Sequence, residues 1–461
     1  MAAVDASPHR RPRQSPELLV PDRIVPRLSV RPAGRPRRMA RGAVRGPVAA
    51  ALGLTCAAAL LATGSVASAA TTSKVWSAKV TYGTYDHTID GDTVAIRVDG
   101  DPSSLTPPHI RNTGIQTMEI GSCHADEATA AMDRMVAGRR VRLTTNSTTA
   151  SSLGRPVRHI DVSTSTGWLD TQLAQLRAGH ALPIILANDD TRWKAYFTAA
   201  EQAARAGKNL WDTDYCRSGP SQGTPLKVWV NWDANGDDGG NVNGEWVRVL
   251  NSGTATLSVA GWQMRTGGQD WFTFPSTAVV PAGGLLTLHV GKGTATTTSF
   301  YWGGTAPKFP NASIAANRHG SGAYLFDRDG DLRAWSMYPC MSACTSPLAG
   351  KVRINAAPDA PGVDADNLNG EYISLRSAGT YSVDVSYQTL SNNGYTWEIP
   401  RGTVIRPGEV YTLRVGKGTN SRLTNYWGST KPILSNTGSF VELRTAEAVR
   451  IACKAWGTGR C

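Results

Sequence analysis

Between Asp90 and Arg155 the chain carries Asp90, Gly91, Asp92 and Thr93, then Arg111, Thr117 and Glu119, and finally Gly154 with Arg155. These are the groups that metal-assisted attack on a phosphodiester calls for. A hard cation takes oxygen ligands of the kind Asp92 offers. An attacking water needs a nearby carboxylate, and a pentavalent phosphorus with added negative charge is matched by fixed, fork-shaped donors. Each residue also has a plain reading: Asp90 and Gly91 as a hairpin turn, Arg111 with Glu119 as a surface ion pair worth ~0 to 1 kcal/mol. Taken as an ordered set, the residues favour the catalytic reading. His87, His109, His124, His159 and His180 show no two-histidine spacing with a carboxylate on one helical face and read as structural.

The run Thr88 to Val98 (TIDGDTVAIRV), Ile110 to Glu119 (IRNTGIQTME), Cys123 to Ala128 (CHADEA), Leu153 to Ile160 (LGRPVRHI), Gly179 to Leu182 (GHAL) and the stretch from Trp193 to Trp211 together resemble the staphylococcal-nuclease (thermonuclease) family, over residues 76–216 and in the family's order. The resemblance implies an OB-fold barrel with packed helices that hydrolyses DNA and RNA with Ca2+ and leaves a 5′-hydroxyl and a 3′-phosphate. It implies Asp92 as metal ligand, the Thr117 backbone carbonyl on the same ion, Glu119 acting on the attacking water, and Arg111 and Arg155 holding the phosphate. Two positions depart from the pattern. Gln116 stands where the family has a second metal-binding aspartate, and Met118 replaces a proline. The Gln116 amide still offers a carbonyl oxygen as a metal ligand, but one negative charge fewer beside the ion weakens calcium binding.

The surrounding elements must hold these residues in place. Val94, Ile96 and Val98 alternate with Ala95 and Arg97, the period of a strand with one buried face. Ala128, Ala131, Met132, Met135 and Val136 form a helical stripe over Ala125 to Val136, stopped by Gly138. Leu169, Leu173 and Leu176 form a second stripe ending at Gly179, and Trp193, Phe197, Ala200 and Ala204 a third ending at Gly207. Such stripes are core.

A chain of 461 residues implies roughly two to four domains. Its net charge of +12 resembles a nucleic-acid signal, but residues 1–46 hold eleven Arg against three acidic residues. Within 76–216 there are 14 basic and 16 acidic side chains, so affinity for a polyanion has to come from local placement and metal, not from a global field. The apolar run Pro47 to Thr63 after Arg41 and Arg45, with Ala67, Ser68 and Ala69 as a small-residue cleavage pattern, reads as a signal peptide over 1–69, cleaved near Ala69. Translation starting at Met39 would give a leader of ordinary length. The expected product is a secreted, extracellular monomer without a transmembrane anchor. Loss of the leader removes Cys56 and leaves Cys123, Cys216, Cys340, Cys344, Cys453 and Cys461, an even set that suggests disulfides in an exported protein. Domain logic pairs Cys123 with Cys216, Cys340 with Cys344 and Cys453 with Cys461. A cysteine metal site is the rival reading, without Cys-x-x-Cys spacing to support it.

After a linker at 217–225 the chain repeats itself. Asp233 to Glu245 (DANGDDGGNVNGE) aligns with Asp359 to Glu371 (DAPGVDADNLNGE) at an offset of 126, and Val290 to Thr294 and Tyr301 to Gly303 recur as Val415 to Thr419 and Tyr426 to Gly428 at an offset of 125. A period this long means two whole domains, at 226–345 and 349–461. Short alternating strands between Gly and Pro turns favour all-β sandwiches. Asn243 to Met264 (NGEWVRVLNSGTATLSVAGWQM), FTFP, VVPAGG and AYLFDRDGDLR resemble the lamin-tail domain, an immunoglobulin-like sandwich. The second copy carries NGEYISLRSAG, WEIP and IRPGE but lacks the DRDGD turn, leaving its last hairpin open. The acidic loops are expected as hydrogen-bonded turns rather than calcium loops, and Trp232, Trp246, Trp262, Trp271, Trp302, Trp397 and Trp427 mostly as core.

The fold class expected is therefore multidomain: an α+β OB-fold barrel followed by two immunoglobulin-like sandwiches. The function expected is a secreted, metal-dependent nuclease acting on DNA or RNA, its sandwiches tethering it to an envelope ligand. The alternative is a catalytically inactive extracellular protein that binds nucleic acid or the cell envelope, and Gln116 is its best support.

Overall fold

The computed structural model describes residues 72–213, 216, 221–268 and 270–461, so the expected leader and residues 217–220 of the expected linker lie outside the described residues. In chain order the first region runs β1 (Val80–Asp90), β2 (Thr93–Val98), β3 (His109–Asn112), β4 (Ile115–Gln116), α1 (Ala125–Val136), β5 (Arg140–Thr144), β6 (Ser151–Ser152), β7 (Arg155–Thr164), β8 (Gly167–Asp170), α2 (Thr171–Ala178), β9 (Leu182–Pro183) and α3 (Trp193–Arg205). Antiparallel pairing links β3, β2, β1, β5 and β7 in that order, and β7 returns to pair parallel with β3 through Arg111↔Val157 and Asn112↔Arg158. The result is a closed five-stranded barrel. Val94, Ile96, Ile110, Val141, Leu143, Ile160 and Val162 fill it, and Met132 and Val136 of α1 cover one end.

The helix α1 spans the residues its apolar spacing marks. Asp170 caps α2 by accepting from the Leu173 N–H at 2.8 Å, and Gly179, at φ 82°, ends it in the left-handed conformation that glycine adopts without strain. Because Asp170 is the cap, Leu169 belongs to β8 and not to the helical stripe. The alanines of α3 let it approach closely, and its apolar face continues past the barrel. Ala199, Ala200, Ala203 and Ala204 share one buried cluster with Ile115, Met118 and Leu176, and with Tyr324, Phe326, Leu332 and Met337 from the next region.

That next region is a two-sheet sandwich. One sheet orders Leu226–Asn231, Trp246–Asn251, Leu285–His289 and Ser299–Tyr301; the other orders Trp271–Thr273, Gln263–Thr266, Ser321–Phe326 and Leu332–Tyr338. The second copy has the same two orders, including the parallel last pair of the first sheet, and its final hairpin is formed between Gly438–Arg444 and Arg450–Gly457. The acidic loops are turns: Asp238 accepts from the Ala234 N–H at 2.9 Å and from Asn311 at 2.7 Å, and Asp364 repeats this with Ala360 at 3.1 Å and Asn436 at 2.8 Å. Trp232, Trp246, Trp262 and Trp427 are buried, whereas Trp271 is 60% exposed.

Disulfides join Cys123 to Cys216, Cys340 to Cys344 and Cys453 to Cys461 with Cα separations of 6.2, 5.6 and 5.9 Å, inside the normal range. Among the described residues no helix is long and apolar enough to cross a membrane.

Candidate active site

The hairpin between β1 and β2 starts the site. Asp90 accepts the Asp92 N–H at 2.9 Å, the local bond that makes Asp-Gly-Asp a turn. Gly91 is there for space: a Cβ would stand 2.7 Å from that of Ala128 on α1 and 2.8 Å from Cγ2 of Thr117. Gln175 of α2 ties the tip down by donating to the carbonyls of Gly91 at 3.0 Å and Ala128 at 2.8 Å.

Strand register then gathers the charged groups. Thr93 lies opposite Arg111 across β2 and β3. Barrel closure by β7 brings Arg155, its first residue, to the Thr93 hydroxyl at 3.1 Å. That hydroxyl donates in turn to Asp92 at 3.1 Å. The other Asp92 oxygen accepts from the Thr117 N–H at 3.0 Å and hydroxyl at 3.2 Å. Arg111 Nε pairs with Asp92 at 3.2 Å. Its remaining donors reach the Asn112 carbonyl, the Ile115 carbonyl at 2.9 Å and Gln116 Oε1 at 2.7 Å. Gln116 Nε2 donates to the Thr117 carbonyl at 3.0 Å and to Glu119 at 3.3 Å. Asp92, Arg111, Gln116, Thr117, Glu119 and Arg155 are thus links of one hydrogen-bonded chain.

The chain has a buried centre and accessible ends. The Arg111 and Asp92 side chains are 1% and 5% exposed, and four of the five Arg111 N–H groups are engaged. Glu119 is exposed, and Arg155 is half-buried with no carboxylate in ion-pair range among the described residues. Burial, and then the Asp92 charge, push the Asp90 carboxyl up to about 6. The donors are oxygens, so by donor type the group fits a hard divalent cation. Three hydrogen bonds and the Arg111 ion pair nonetheless occupy Asp92, and the Gln116 amide rests on the Thr117 carbonyl. An ion has to displace some of these.

The sequence places Thr93 in the motif without a link to Arg155 and gives Gln175 no role, though one joins Arg155 to Asp92 and the other anchors the turn. Thr93 sits inside the motif; Gln175 carries no local signal. His159 is buried and hydrogen-bonded to Tyr196 at 3.1 Å and Thr191 at 3.2 Å, a structural role. Cys123, His124, Cys216 and Asp331 have ligand atoms within 4.8 Å of one another, but the two sulfurs are joined, which makes the group a covalent staple.

No curated protein matches the chain, and no nuclease-like family model matches it. Residues 230–339, the first sandwich, match the family model of the Lamin Tail Domain.

Proposed function

We propose that residues 76–216 form an OB-type barrel of the staphylococcal-nuclease kind that hydrolyses phosphodiester bonds of DNA or RNA. The observation that carries this reading is the single chain of hydrogen bonds and one ion pair from Arg155 through Asp92 and Arg111 to Glu119, with its two ends accessible and oppositely charged. The parallel closure of the barrel between β3 and β7 supports the OB reading, since it gives the Greek-key strand order of that fold.

In the mechanism, the buried Asp92 and Arg111 pair braces the site, and Gln116 and Thr93 transmit its geometry to the two accessible side chains. The Arg155 guanidinium has donors to spare for the non-bridging oxygens and meets the charge that develops on them. Glu119 aligns a water and takes its proton as the oxygen adds to phosphorus. The bond to the 5′-oxygen breaks and that oxygen takes a proton from solvent, leaving a 5′-hydroxyl and a 3′-phosphate. Asp92 and the Thr117 carbonyl, beside Glu119, would hold a Ca2+ ion, and the bound ion would offset phosphate charge.

The reading includes export by the leader at 1–69 and service of both sandwiches as tethers, the second being a lamin-tail-like copy of the first. A second reading, a silent binding protein, is favoured by the Gln116 amide seated on the Thr117 carbonyl. Purified full-length protein incubated with DNA and with RNA, in Ca2+ and in chelator, separates the two. Cleavage in Ca2+ supports the nuclease; binding without cleavage in any divalent cation supports the alternative.

A further inference from the structure

The first sandwich brings a cation within electrostatic reach of Glu119. The Ser122 N–H donates to the Glu119 carbonyl at 2.9 Å, and this turn lies against the Asp327 to Asp331 turn of the sandwich, where a Cβ on Gly330 would stand 3.6 Å from Cys123 N and 3.9 Å from Ser122 Cβ. Met118, next to Glu119, packs in one cluster with Tyr324 and Phe326. Arg265 lies on the adjacent strand opposite Tyr324. Its guanidinium sits 4.9 Å over the Phe326 ring, and Nη2 donates to Gln263 Oε1 at 3.0 Å. Among the described residues no carboxylate comes within 4.0 Å of it. Burial lowers its pKa, and the charge that opposes this is Glu119.

We propose that Arg265 is a substrate-binding residue of the cleft, by which the lamin-tail sandwich takes a backbone phosphate flanking the scissile one. A partly desolvated guanidinium without an ion-pair partner is an unfavourable arrangement by itself, and a phosphate relieves it. Phe326 and Gln263 fix the fork while leaving three N–H groups for a ligand. The need is real on the barrel side, where 14 basic residues face 16 acidic ones. Glu119 and Arg155 bracket the scissile linkage, so a cation on the Glu119 side meets the next phosphate along the strand. The sandwich is in this way a wall of the site as well as a tether.

The proposal rests on the hydrolase reading, and its test is built to fail separately. Full-length wild type, Arg265→Ala and Arg265→Lys are compared on a short single-stranded oligonucleotide and on a dinucleotide, which has no flanking phosphate. Arg265→Ala is expected to raise KM for the oligonucleotide by about tenfold, the loss of a charge-assisted contact, with kcat and dinucleotide cleavage unchanged. Arg265→Lys is expected to recover part of the loss. Fluorescence anisotropy of labelled oligonucleotide against salt needs no turnover, and its log–log slope is expected to fall by about 1. Wild type inert on both substrates overturns the hydrolase reading, while anisotropy still decides on Arg265. An unchanged slope and KM in a variant that melts like wild type overturns the proposal, as does an equal loss on the dinucleotide.

Discussion

The two sandwiches carry the same framework and use the same sheet for different neighbours. In the first copy the sheet that contains Gln263–Thr266 and Ser321–Phe326 docks on the barrel, sharing a buried cluster with Met118 and α3. In the second copy the equivalent sheet, with Thr389–Asn392 and Gly438–Arg444, docks on the first copy. There Thr396 donates to the Asp233 carbonyl at 2.9 Å, Arg444 pairs with Asp233 and lies 4.4 Å over Trp232, and Arg248 pairs with Glu398. The first interface is joined to the apolar core, and Glu201 of α3 also accepts from the Met341 and Ser342 N–H groups across it. The second is made of ion pairs, hydrogen bonds and ring contacts such as Trp229 with Tyr387 at 5.0 Å. At the repeat's offset Arg265 corresponds to Ser391, so the copy beside the site carries a guanidinium that the other lacks. A duplicated domain has kept its docking face and changed the chemistry on it.

The largest expected effect tests whether the first interface is truly core. Phe326→Ala removes a fully buried ring and is expected to lower stability by about 3–5 kcal/mol in chemical denaturation, whereas Arg444→Ala, which loosens the second interface, is expected to remove about 1–3 kcal/mol. Equal losses would erase the contrast. A second test uses the glutamates that both copies bury. Glu245 accepts from the N–H groups of Lys308 at 2.8 Å and Phe309 at 3.3 Å, and Glu371 from those of Ile433 at 3.2 Å and Leu434 at 3.1 Å. Burial pushes the Glu245 carboxyl from 4.5 up to about 7, and raises Glu371 as well. A pKa raised by folding favours the protonated form. The stability this confers is complete below about pH 4.5 and is lost as pH rises through about 7, a swing of up to about 3 kcal/mol. Glu245→Gln is expected to flatten the denaturation midpoint between pH 4 and pH 8 by most of that swing. An unchanged pH profile would contradict it. The smallest effect belongs to the barrel: Gln116→Asp restores a carboxylate and is expected to lower the Ca2+ needed for half-maximal cleavage by about tenfold. No change in that midpoint would remove Gln116 from the ion's surroundings.

Much of the fold was legible because its signals are local. The apolar spacing of Ala125 to Val136, the stop at Gly179, the turn at Gly91 and the repeat at 126 residues each follow from neighbours in sequence. The candidate site was legible for the same reason, its residues lying on motif segments. Docking carries no such signal. Arg111 reads as an exposed phosphate ligand in sequence, and its burial comes from the turn Asn112 to Gln116 folding back over it. Ala95 falls on the solvent side of its strand's alternation and is fully buried, a methyl too small to declare either face. Trp271 has strand spacing but stands on an edge strand and stays exposed. Arg265 is invisible without the barrel, since only docking brings it within electrostatic reach of Glu119.

The central claim is that Glu119 and Arg155 work on one phosphodiester. Its most direct test is the kcat of Glu119→Ala and Arg155→Ala on single-stranded DNA in Ca2+, alongside thermal melts. The account predicts that wild type cleaves and that each variant loses about two orders of magnitude or more with its melting temperature unchanged. Folded variants that cleave as fast as wild type would contradict it.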